Sequence, residues 1–140
     1  MTDNLQEMER IAVQELEDAK LRVTISAAVI EALPDAIVVA DQDGKIFLVN
    51  RETELMFGYQ RKDMIGSLVE ILIPDRHAIT HVQHRMNYQQ EPRTRYMGAG
   101  LQLTAKRKDS SELPVEISLS PVPSERGLFT IVTIRRKRSA

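Results

Sequence analysis

The chain has 140 residues, 42% of them apolar and 28% charged, with a formal net charge of −1 and no cysteine. That length and mix predict one globular domain, able to bury roughly two-thirds of its unfolded surface without covalent staples. Near-neutrality gives no general pull toward nucleic acid or an anionic membrane, and the lack of cysteine excludes disulfides, thiolate metal sites and cysteine nucleophiles.

The polar, acidic start, MTDNLQEMER, does not read as a secretory leader, and no apolar run approaches the ~20 residues that span a bilayer. The expectation is a soluble, cytoplasmic domain. Residues 3 to 32 contain no Gly or Pro and follow a plausible N-cap at Thr2 or Asp3. Leu5, Met8, Ala12, Leu16, Ala19, Val23, Ala27 and Ile30 recur every three or four residues, so an amphipathic helix is expected. At 1.5 Å per residue it would run roughly 45 Å, long for so small a domain. The stripe either packs on its own domain or pairs with a second copy, as coiled-coil segments do.

Pro34 ends that helix. A strand over residues 35–40 follows, then a tight turn Asp41-Gln42-Asp43-Gly44 and an antiparallel mate over 45–49. Asn50 is a good N-cap for a short helix over 51–57, which Gly58 ends. Residues 61–73 read as short helical turns around Met64, Leu68 and Leu72. Pro74 and Asp75 open a longer helix to about Gln90, with Ile79, Val82 and Met86 at helical spacing.

The stretch from Leu101 to Ser120 alternates strictly: Leu101, Leu103 and Ala105, then Leu113, Val115, Ile117 and Leu119, are separated by polar residues or Pro114. Period two marks a sheet with one dry face, and the shared parity requires opposed pairs of even sum. Pairing Lys108 with Glu112 meets this, sets Leu103 opposite Ile117 and leaves a three-residue loop, Asp109-Ser110-Ser111. After a turn-rich segment over 121–127, the last strand runs over 128–136. It carries apolar residues on both faces, Leu128, Val132 and Ile134 against Phe129 and Ile131, as the first strand does. Strands of that kind belong in the middle of a sheet covered on both sides. The helices of residues 50–90 supply one cover; the N-terminal helix or a second protomer is expected to supply the other.

Several segments together resemble the PAS domain over about residues 28–136. They are IEALPDAIVVADQDGKIFLVN (30–50), NRETELMFGY (50–59), Ile65-Gly66 with Leu72-Ile73-Pro74, and MGAGLQLTAKRKDSSELPV (97–115). The resemblance implies an α+β fold: a five-stranded antiparallel sheet of order 2-1-5-4-3, with helices on one face enclosing a small pocket. It also implies a sensory or dimerising module in signal transduction, two-component systems included. Ser110 departs from the glycine usual in the family's hairpin turn. The ending Thr133-Ile134-Arg135-Arg136-Lys137 lacks the Asp-Ile-Thr often used to pass a signal onward. The expected division is a dimerisation helix (1–32), a PAS domain (33–137) and a tail (138–140).

No phosphate loop or nucleophile elbow is present, and no catalytic residue is assigned: the chain reads as a non-enzyme. Asp41 and Asp43 are explained by their hairpin turn rather than by a cation, so no metal site is assigned. His77, His81 and His84 share one helix face, first read as a solvated polar surface. In haem-binding PAS oxygen sensors a histidine on this helix holds the iron, and counting from Pro74 and from Gly98 brings that position to His81. The arginine that stabilises bound oxygen there would fall near Leu101, which cannot donate a hydrogen bond. Haem is therefore the minor reading and no cofactor the major one. Flavin is disfavoured by the absence of both Cys and Trp.

A pocket, filled by its own side chains or by a small apolar ligand, would be walled by Ile46, Leu48, Met56, Leu68, Leu72, Met86, Leu101, Leu103 and Ile117. The expected dimer contacts are Leu5, Met8, Leu16, Val23 and Ile30 on the helix, with Phe129 and Ile131 on the sheet. The basic runs at 106–108 and 135–138 read as solvated charge, so neither nucleic acid nor membrane is an expected partner. The leading expectation is a homodimeric PAS module acting on a downstream domain or protein. A haem-based gas or redox sensor using His81, and an adaptor that senses nothing, are the alternatives.

Overall fold

The computed structural model describes residues 2–97 and 103–137. Two compact units meet in the chain between Ala32 and Leu33. The first is a single helix, α1 (Thr2–Ala32), with Asp3 in its first turn. An acidic group there complements the positive end of the helix dipole.

The second unit is an antiparallel sheet with short helices. β1 (Ala36–Ala40) and β2 (Ile46–Val49) form the first hairpin, followed by α2 (Arg51–Phe57), α3 (Arg61–Met64), a 3₁₀ turn (Val69–Leu72) and α4 (Asp75–Gln90). The edge segments β3 (Arg95–Met97) and β4 (Leu103–Lys106) lead to the long hairpin of β5 (Glu112–Ser124) and β6 (Gly127–Arg136). β6 pairs with β5 on one side, so β3 and β4 must share the other edge of β5. Counted as one interrupted strand, they make a five-stranded sheet of order 2-1-5-4-3, with β1 and β6 adjacent in its interior as expected. Arg95 opposes Leu119 and Leu103 opposes Val115, so the edge spends eight residues where β5 spends four.

The sequence places two local features well. Asn50 caps α2 by accepting the Thr53 N–H at 3.1 Å, and Gly58 ends it at φ 80°, a left-handed cap that costs glycine no side-chain clash. Ser110 adopts φ 71°, the strain expected where the family carries glycine. Asp109 steadies that turn by accepting from the Ser111 N–H at 2.9 Å.

Three expectations are corrected. Leu103 stands opposite Val115, not Ile117, and Lys106, not Lys108, faces Glu112. Parity survives, because 218 and 220 are both even sums, so the dry face is unchanged. The register moves because the Ser111 carbonyl accepts the Arg107 N–H and the three-residue loop becomes Lys108-Asp109-Ser110. Alternation can fix a face but cannot tell apart registers that differ by two. Secondly, β5 does not stop at Ser120: Pro121 and Pro123 continue it to Ser124, and the turn shrinks to Glu125 and Arg126. Both prolines lie beyond the last pair with β3, on an edge where no described strand requires their missing N–H. Thirdly, α4 does not bury the stripe of Ile79 and Met86. They are 86% and 55% exposed, and Tyr88 is its buried residue.

The core lies between the inner sheet face and the helices of residues 51–72. Ala36, Val38, Ile46, Val49, Val115 and Ile134 come from the sheet, and Met56, Phe57, Met64 and Leu72 from the cover. Among the described residues no helix is long and apolar enough to cross a membrane.

Candidate functional site

The residues expected to wall a pocket divide between the inner face and other places. The structure brings Ile46, Met56 and Leu72 into the buried core and packs Leu103 and Ile117 against it. Leu48, Leu68 and Met86 do not join them. Leu48 opposes Val39 while Ile46 opposes Ala40, so Phe47 is the extra residue of a β-bulge. One inserted residue reverses the alternation and sends Leu48 to the opposite face. Leu68 is 45% exposed because it sits in the bridge to Lys45 at the edge of β2. Met86 lies on the solvent side of α4, and Leu101 lies outside the described residues. Thr130, which the sequence reading passed over, is buried on the inner face opposite Ala40, and its hydroxyl has no hydrogen-bond partner among the described residues. Its alternation with Val132 and Ile134 was the available signal.

A polar clamp closes one end of the unit. Arg85 of α4 donates from Nη2 and Nε to the two carboxylate oxygens of Glu70, at 3.0 and 3.3 Å. His81 Nδ1 lies 2.7 Å from Glu70 Oε2. The Glu70 side chain is only 9% exposed, so its charge is largely removed from water and needs these partners. A carboxylate only accepts, so Nδ1 carries the proton of this contact, and in the neutral ring Nε2 is the lone-pair nitrogen. A Cβ on Gly44 would lie 2.3 Å from the Arg85 guanidinium carbon, and Gly44 sits at φ +81°. Glycine in the first hairpin thus lets α4 reach over the turn. His77 and His84 are exposed and take no part.

Two ion pairs hold the other end of α4. Lys106 donates to Asp75 at 2.7 Å, and Arg76 grips Glu112 through both oxygens, at 2.6 and 2.7 Å. The hydrogen bonds from Lys106 and Arg76 hold the Asp75 and Glu112 carboxyls below their ordinary range. The Asp75 partner in turn raises the Lys106 ammonium.

The outer sheet face is apolar toward its β1–β2 side. Phe47 and Phe129 meet with ring centroids 5.0 Å apart at 59°, and the Arg126 guanidinium stands 5.6 Å over the Phe47 ring. Ile131 opposes Val39 on the same face. The bulge that removes Leu48 from the core therefore adds Phe47 and Leu48 to this surface. A separate open groove of about 560 Å³ runs between the end of α2 and the hairpin tip, from Leu55 and Met56 to Arg107 and Lys108. Met56 alone among the expected pocket residues reaches it.

These features are those of a PAS domain: the chain matches the PAS fold over residues 26–136 and belongs to that family. Sensor protein FixL of Bradyrhizobium diazoefficiens is 29% identical over 105 residues, which is 75% of this chain and 21% of FixL. The oxygen sensor protein DosP of Escherichia coli is 24% identical over 98 residues, 70% of this chain and 12% of DosP. The chain thus spans about a fifth and an eighth of these curated relatives. Among solved structures, the PAS domain of an HTR-like protein from Haloarcula marismortui shares the fold with a TM-score of 0.70 at 23% identity, covering 91% of this chain and 99% of that one. The PAS domain of nitrogen regulation protein NR(II) from Vibrio parahaemolyticus gives 0.63 at 21%, covering 80% and 97%.

Proposed function

We propose that this chain is a homodimerising PAS module of a signal-transduction protein, without catalytic activity of its own. It passes a ligand- or partner-induced change in helix–sheet packing to an effector. The observation that carries this reading is the apolar outer face built on the Phe47–Phe129 pair, together with the exposed apolar side chains of Leu5, Met8, Leu16 and Val23 on α1. Ile30 is half-buried. Exposed apolar side chains gathered on one face of an element mark an interface. A ligand moves such an equilibrium only by its differential affinity for the two packings, and α4, held largely by ion pairs, is the element most readily repacked. Leu16→Glu together with Val23→Glu should give a monomer in light scattering; an unchanged dimer rejects the reading.

One observation favours a second reading, a haem-based gas sensor. Glu70 engages His81 through Nδ1, so in the neutral ring Nε2 is the nitrogen able to coordinate, the arrangement in which a carboxylate orients a histidine toward a metal. That donor chemistry fits an axial ligand, and haem, when bound, supplies an iron that takes up a diatomic gas. FixL and DosP, both named as sensors, lend support by similarity. Haem added to the purified chain should produce an intense Soret band that His81→Ala abolishes. No band, or a band indifferent to His81, leaves the dimeric module. A partner captured with no ligand response would make that module an adaptor.

A further inference from the structure

The basic run Lys106-Arg107-Lys108, solvated charge by its sequence, is divided by the fold among three tasks. Lys106 pairs with Asp75. Arg107 turns back toward α2 and donates from Nε to the Met56 carbonyl at 3.1 Å, while the Lys108 N–H donates to the Phe57 carbonyl at 2.9 Å. Those two bonds fasten the hairpin tip to the end of α2 and set the walls of the open groove, of about 560 Å³, between them. They leave the Arg107 Nη groups and the Lys108 ammonium without an ion-pair partner among the described residues. Asp109, the acid on the lining, is turned to Ser111, whose N–H and hydroxyl both donate to the same oxygen. Those bonds, ahead of the Arg107 charge, hold its carboxyl below the ordinary range. Leu55 stands on the rim, 67% exposed, although the rest of α2 is well anchored. Gly58 keeps the floor bare, where a Cβ would project to 3.9 Å from that of Lys108.

We infer that this groove docks a short segment of a partner protein that carries carboxylates on either side of an apolar side chain. Charge complementarity chooses the occupant. Two cations with idle donors beside an exposed leucine attract an acidic, apolar segment and repel a basic one. The apolar side chain lies against Leu55 and the bare backbone of Gly58. The carboxylates meet the Lys108 ammonium and the Arg107 fork, whose paired N–H groups suit the two oxygens of a carboxylate. Both walls are already fixed by hydrogen bonds to the α2 carbonyls, so docking does not have to order them, which lowers its entropic cost. Residues 33–140 carry more Lys and Arg than Asp and Glu, a balance that steers an acidic segment toward this unit. No groove residue belongs to the Phe47–Phe129 face or to α1, so the inference stands apart from the dimer reading.

A phage-displayed library of random short peptides, panned on the full chain, supplies the probe. The recovered peptides should share Asp or Glu around a Leu, Ile or Phe, and high salt should weaken their binding. Titrated against the variants, they should bind K108E about tenfold more weakly and L55S about five- to tenfold more weakly. Both changes alter exposed side chains, and residue 108 keeps its backbone N–H, so both variants should melt with the parent chain. Should either melt early, the unaltered chain decides: added peptide should shift the amide resonances of residues 55–58 and 107–109. A library that yields no binder, or binders without acidic residues, overturns the inference. So do shifts confined to the Phe47–Phe129 face, and so does a single-stranded oligonucleotide that moves the groove amides when no peptide does.

Discussion

Two helices of the second unit are held by opposite means. α2 has seven residues and buries Thr53, Met56 and Phe57; α4 has sixteen and buries Tyr88 alone. α2 is locked by a dry polar network: Asn50 Oδ1 accepts the Ile37 N–H at 2.9 Å and the Thr53 N–H, and Asn50 Nδ2 donates to the Asp35 carbonyl at 3.0 Å. α4 is tied at both ends by ion pairs, and Ile79 and Met86 face water. Length is thus a poor guide to anchorage. What counts is how many groups leave water on docking, and the start of α4, held by the exposed pairs of Asp75 and Arg76, is the part that can shift at small cost.

The strongest way to break this contrast is Asn50→Ala. It strips a cap and leaves the buried Ile37 N–H unpaired, so denaturant unfolding should show a loss of about 2–4 kcal/mol. A loss below about 1 kcal/mol would mean that α2 is not anchored as described. Next comes Glu70→Gln, which removes the charge that holds Arg85 and His81. About 1–2 kcal/mol is expected, with hydrogen exchange accelerating in α4 while the β1–β6 ladder stays protected. Equal acceleration in both would erase the distinction.

The smallest effect is acid loosening at the start of α4. Asp75 and Glu112 have folded-state pKa values below their ordinary 3.8 and 4.5. They therefore bind fewer protons folded than unfolded, and their contribution is present above those ordinary values. It is lost as pH falls through the lowered ones. Exchange near Asp75 and Arg76 should quicken as pH falls below about 4, ahead of the core, and the difference should shrink in high salt. A core that loosens first would reverse the comparison.

Much of this could be read from the residues alone. The absence of Gly and Pro from 3 to 32 announced α1, Asn50 and Gly58 bracketed α2, and two-faced strands put residues 36–40 and 127–136 in the sheet interior. These are local or periodic signals, set by backbone propensity and by which side chains avoid water. Pairwise and inserted features were not legible. The hairpin register depended on one backbone hydrogen bond from Arg107 to Ser111, and the fate of Leu48 on a single bulged residue, Phe47. The Glu70 clamp joins residues eleven and fifteen apart through a glycine turn more than twenty residues upstream.

On its own, then, the order of amino acids determined the elements, their wet and dry sides and the family to which they belong. Tertiary structure decided which apolar residues reach the interior, how α4 is fastened and which ring nitrogen of His81 faces Glu70. Those outcomes turn on one-residue offsets and on contacts between distant segments, and no repeat along the chain encodes either.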